Sequence, residues 1–131
     1  MDKTLNLKQE DFNKALATLT EILNEPASDI VRDAIIKRFE YTFDAAWKTA
    51  KVMLFEKFGV DVFSPKTCFR ELRRNKLISD EDTEKFLAMV DDRNTITHVY
   101  GRQQADEIAE KIKTVYTELL KKLNQIINSK S

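Results

Sequence analysis

Apolar side chains recur at three- and four-residue steps along most of this chain, the spacing that gathers them on one side of an α-helix. Phe12, Leu16, Leu19 and Leu23 mark a first helix from about Leu7 to Asn24. It stops at Glu25-Pro26-Ala27-Ser28, because proline cannot continue a helix and disfavours helical geometry in the residue before it. Asp29 is placed to cap a second, long helix reaching Phe58, with Gly59 closing it in a left-handed position. The stripe of that helix, Ile35, Phe39, Phe43, Trp47, Ala50 and Leu54, is aromatic and buries much area per residue.

Ser64-Pro65 has the form of an N-cap followed by proline at the first helical position, and opens a short helix to about Lys76. Ser79 caps a fourth helix whose opening acids, Asp80, Glu81, Asp82 and Glu84, suit the positive helix end. It runs through Phe86 and Val90 into Arg93–Tyr100, and Gly101 breaks the chain there. A fifth helix, about Gln103 to Asn128, repeats Ala105, Ile108, Ile112, Val115, Leu119, Leu123 and Ile126 at nearly coiled-coil spacing. The pattern predicts an all-α fold, an up-and-down four-helix bundle with one extra short helix.

Composition narrows this further. A chain of 131 residues fits a single helical domain over 1–131, and the scarcity of Gly and Pro, 2 of each, favours long helices over strands joined by tight turns. Basic and acidic residues balance at 22 each, which argues against a general nucleic-acid coat protein but leaves room for local basic patches. The lone Cys68 excludes an internal disulfide framework and fits a reducing cytoplasm. The charged start is unlike a signal peptide, and no apolar run approaches the ~20 residues of a membrane span. A soluble, cytoplasmic protein with no membrane association is expected.

Candidate chemistry gathers at Arg93-Asn94-Thr95-Ile96-Thr97-His98-Val99-Tyr100. His98 is the only histidine, so acid–base work near neutral pH falls to it or to carboxylates. In the plainer alternative, Phe86, Val90, Asn94 and His98 form one line at steps of four, with His98 as the polar end of a core stripe bonded to Asn94. The crowding of polar groups just before Gly101 favours a site at a helix end. Arg93 and His98 are five residues apart, which on a regular helix points them ~140° from each other. Either the helix bends near Thr97 or a second copy of the chain completes the site, as a two-fold interface would allow.

Other clusters carry less. Arg70, Arg73, Arg74 and Lys76 read as a solvated helix face, with Glu71 and the acids of the next helix nearby. Asp91 and Asp92 diverge around a helix and with one histidine make a poor ligand set, so no metal and no cofactor are expected. Cys68 lacks a histidine nearby and is expected to pack. No Gly-rich phosphate loop exists, and Asp80-Glu81-Asp82 opens a helix without a Gly-Ser element before it. Nucleotide transfer is therefore expected to need a separate protein.

Arg93-Asn94-x-x-x-His98-x-Tyr100 resembles the motif of the HEPN superfamily and, more closely, that of nucleotidyltransferase substrate-binding proteins, helical bundles encoded beside a minimal nucleotidyltransferase. Arg38-Phe39-Glu40-Tyr41-Thr42-Phe43-Asp44-Ala45-Ala46-Trp47-Lys48 is similar to the second helix of that family, and the helix order matches over almost the whole chain. The resemblance implies a homodimer whose paired motifs line one cleft, acting on RNA or a nucleotide. It implies catalytic roles for His98, as general acid or base, and for Arg93, on the phosphate, with Asn94 orienting substrate. It also implies AMP addition to Tyr100 by the nucleotidyltransferase, which would neutralise a metal-independent ribonuclease toxin. The competing expectation is a non-catalytic subunit that binds substrate or nucleotide for that enzyme. A ligand-free dimerisation module ranks behind both.

Overall fold

A computed structural model describes residues 3–98 and 101–130. Its helices are α1 (Thr4–Ile22), α2 (Asp29–Phe58), α3 (Pro65–Arg74), α4 (Asp80–Thr95), α5 (Arg102–Lys111) and α6 (Thr117–Lys130). A 3-10 turn, Ile96–His98, extends α4, and a π-helical turn, Ile112–Tyr116, joins α5 to α6 in one continuous rod. The architecture is the expected one: four long helical rods, with the short α3 inserted, and no strand among the described residues. No helix among the described residues is long and apolar enough to cross a membrane.

The helix ends follow local chemistry. Ser28, rather than Asp29, caps α2: its hydroxyl accepts from the Val31 amide at 3.1 Å, and Asp29 becomes the first helical residue. Gly59 takes the left-handed position, with φ 66°, and its amide returns to the last turn of α2. Ser64 and Ser79 cap α3 and α4 as the sequence suggested, with Pro65 opening α3. After α3 the left-handed position falls to Lys76, at φ 61°, and the Leu77 amide bonds back to the Leu72 carbonyl at 2.9 Å.

Helix α2 is the central strut, packed against α1, α3, α5 and α6. Phe39, Phe43, Ala46, Ala50, Met53 and Leu54 are buried on it, whereas Trp47 is only partly covered. Two buried threonines bind it to α1: Thr42 and Thr49 each donate to a carbonyl four residues back and also reach Ala15 O at 3.1 Å and Lys8 O at 3.0 Å. Under α3 and α4, Phe69 stacks on Phe86 with ring centres 4.7 Å apart, an arrangement that contributes about 0.5–1.5 kcal/mol beyond its area.

The rod of residues 102–130 departs from a single uniform helix. One extra residue in the π turn shifts the apolar stripe, so that Tyr116, Leu120 and Ile127 are buried while Val115 and Ile126 are only partly covered. The Thr117 hydroxyl fills the widened turn, donating to Ile112 O at 2.8 Å.

The strained end of α3 has a measurable consequence. A side chain in the left-handed region costs about 1–2 kcal/mol, which glycine avoids at some entropic loss. Chemical denaturation should find Lys76→Gly more stable by about 1 kcal/mol; a loss of stability would show that the lysine side chain itself holds this turn.

Candidate functional site at the end of α4

The polar stretch singled out in the sequence begins on the last turn of α4 and continues through the 3-10 turn. Helix α4 carries its core residues Phe86, Met89 and Val90 on one side, and the chain then tightens after Thr95. Steps of ~100° in the α-helix and ~120° in the 3-10 turn bring the angle between Arg93 and His98 to about 180°. The helix tightens there instead of bending the two residues onto one side, and drives them further apart.

Arg93 lies along α2. Its guanidinium is 3.8 Å from Glu40 and 3.5 Å from Asp44, one turn apart on that helix. The side chain is 22% exposed, and its Nε is buried without a hydrogen-bond partner among the described residues. Asn94 is exposed. His98, also exposed, lies on the other side, in a shallow depression of about 340 Å³ with Thr95, Gln104, Glu107 and Ile108. No hydrogen bond joins Asn94 to His98 among the described residues, and both side chains are exposed. Tyr100 lies outside the described residues.

Within one chain the depression around His98 holds one carboxylate, Glu107, and no cation. A second depression of about 460 Å³ shares Glu107 and Ile108 with the first and adds Asp92, Glu110, Lys111 and Thr114. Lys111 is already 3.4 Å from Asp92. The nearest motif cation, Arg93, faces the opposite way.

Three further contacts fix the end of α4. Asp91 pairs with Lys66 at 2.7 Å, Asp92 pairs with Lys111, and Asp92 accepts a hydrogen bond from the Tyr116 hydroxyl. Tyr116 also stacks on Phe39, with ring centres 5.7 Å apart. Burial, then the bond to Asp92, pushes the Tyr116 hydroxyl well above the usual tyrosine range. The sequence reading missed Tyr116, which comes under α4 through the shifted register of the π turn. It also missed Glu40 and Asp44 as partners of Arg93, although both lie in the segment that carried the family resemblance. Their spacing by four on the flank of the buried Phe39–Phe43 stripe was the available signal.

The other clusters resolve plainly. Arg73 pairs with Asp80 and Arg74 with Glu71, as a solvated helix face would. Cys68 is buried in the core, and burial pushes its thiol up to about 12, which suits a packing residue.

An all-helical bundle with a polar helix end between α4 and α5 is the class that fold and site define. The chain belongs to the family described as nucleotidyltransferase substrate binding protein like, whose model matches residues 7–129. It is similar to a protein of Thermus thermophilus of known crystal structure, with 39% identity over 88% of this chain and 98% of that one, at TM-score 0.83. Its fold is also that of the tri-AMPylated Shewanella oneidensis HEPN toxin in complex with its MNT antitoxin (TM-score 0.78, 16% identity, 98% of this chain and 99% of that chain). A mutant toxin–antitoxin MntA–HpeT complex likewise shares it (TM-score 0.80, 15% identity, 98% and 99% covered). No curated protein matches the sequence.

The Tyr116–Asp92 contact yields a pH-dependent prediction. A hydroxyl raised above its unfolded value of ~10 contributes stability that is complete below that value and is lost as pH climbs toward the folded one. Urea melts should show Tyr116→Phe less stable by about 1 kcal/mol at neutral pH, with the gap closing above pH ~10. A gap that stays constant with pH would exclude a role for this proton.

Proposed function

We propose that this chain is the HEPN-type subunit of a pair with a separately encoded minimal nucleotidyltransferase, and that two copies form a metal-independent ribonuclease. The observation that carries the reading is the disposition of Arg93 and His98, opposite each other at one exposed helix end. That arrangement suits a cleft in which two motifs face each other across a two-fold axis. Each His98 then meets Arg93 of the other chain, which supplies the positive charge that its own surroundings lack. The single unit formed by residues 1–131 and a cytoplasmic setting belong to this reading.

The chemistry needs no further group. His98 takes the proton from a ribose 2′-hydroxyl, whose oxygen attacks the adjacent phosphorus. The departing 5′-oxygen then receives that proton from the same His98, leaving a cyclic phosphate and a 5′-hydroxyl end. Arg93 offers a planar fork of donors to the phosphate oxygens as negative charge builds on them. Asn94, exposed on the same turn, orients the ribose or the phosphate.

Neutralisation follows from Tyr100. Its hydroxyl attacks the α-phosphorus of ATP held by the nucleotidyltransferase, pyrophosphate leaves, and the tyrosine carries AMP. A bulky anion two residues from His98 fills the cleft and repels RNA. The S. oneidensis relative in fold, a tri-AMPylated toxin bound to its antitoxin, supports this assignment.

A second reading has specific support. Arg93 is already matched by two carboxylates, the chain carries no net charge, and the family is described by substrate binding. In that reading the chain binds a nucleotide or substrate for its partner and catalyses nothing.

Expression of the chain alone should slow growth, His98→Ala should abolish the effect, and purified protein should cleave RNA. Incubation with the nucleotidyltransferase and ATP should add AMP, seen by mass spectrometry on Tyr100 and absent from Tyr100→Phe. Normal growth together with intact RNA would move the assignment to the binding subunit.

A further inference from the structure

The carboxylates that flank Arg93 stand in an unusual relation to it. At 3.8 and 3.5 Å they are ion pairs too long for well-formed hydrogen bonds. They fix the direction of the guanidinium without well-formed hydrogen bonds, and Nε is buried with no hydrogen-bond partner among the described residues. Arg93 is the one ion-pair partner of Glu40 and of Asp44 among the described residues, whereas Asp91 and Asp92 are engaged by Lys66, Lys111 and Tyr116. One guanidinium faces two carboxylates there.

We propose that Glu40 and Asp44 are positioning residues that set how strongly Arg93 grips a phosphate of bound RNA, aligning its fork while opposing the anion's approach. The inference rests on the ribonuclease reading and extends it to residues outside the motif. A phosphate gains the hydrogen bonds that the two acids do not make, so it can displace them, but it binds against their charge. Binding strength is thereby exchanged for alignment, which keeps the product from being held after cleavage.

The test is binding of a labelled, mixed-sequence single-stranded RNA to the full chain, in a His98→Ala background that prevents cleavage. Glu40→Gln with Asp44→Asn keeps the shape of both side chains and removes both charges. It should bind roughly tenfold more tightly, with affinity falling more steeply as salt rises. The gain should vanish when Arg93→Ala is added. With His98 restored, KM and kcat for RNA cleavage should both fall, a split that a purely structural role would not produce. The single changes Glu40→Gln and Asp44→Asn should move binding the same way and serve if the double variant does not fold.

Unchanged or weaker binding in folded variants overturns the inference alone, as does a gain that persists without Arg93. No RNA binding by any variant, the starting protein included, overturns the ribonuclease reading and this inference with it.

Discussion

A helix that turns ~100° per residue cannot show residues five apart on one side, and the 3-10 turn after Thr95 opens the angle between Arg93 and His98 to about a half circle. Much of the arrangement at this end of the bundle depends on that separation. Arg93 is carried against α2, where acids receive it, and His98 against α5, where Glu107 and Gln104 line a shallow depression. Neither residue can help the other within one chain. The proposed pairing of two chains answers this constraint directly, because a two-fold axis returns to each His98 the arginine that helix geometry took away.

Such a site is useful only if the helix end is held firmly. Tyr116, turned toward Asp92 by the extra residue in the π turn, and Lys66, paired with Asp91, hold the last turn of α4 from both flanks. The stacking of Tyr116 on Phe39 ties that clamp to the aromatic face of α2. From the same helix Glu40 and Asp44 reach Arg93, so α2 supports the core and aims the candidate phosphate-binding group at once. The buried Thr42 and Thr49, hydrogen-bonded to α1 carbonyls, keep this strut in register.

Local signals were legible where short-range chemistry decides the outcome. Ser64-Pro65, Ser79 and Gly59 act within a turn of themselves, and each does what its residue type suggests. The cap of α2 fell one residue from the expected place because Ser28 and Asp29 are both good caps, and only the extended backbone at Ser28 distinguishes them. The π turn escaped because Ala105, Ile108, Ile112, Leu119 and Leu123 satisfy a regular helix almost as well as a bulged one. Tyr116 and the two acids of α2 were illegible as partners for a different reason. Their roles arise from packing between helices distant in sequence, and no spacing within one segment records that.

Complementation between two inactive variants tests the two-chain site most directly. Arg93→Ala and His98→Ala proteins, each unable to cleave RNA, would be mixed under conditions that exchange subunits. In a mixed dimer one cleft half keeps Arg93 from one chain and His98 from the other, so RNA cleavage should return in part. If mass spectrometry shows mixed dimers and cleavage stays absent, arginine and histidine of the same chain must work together, and the account given for this helix end is wrong.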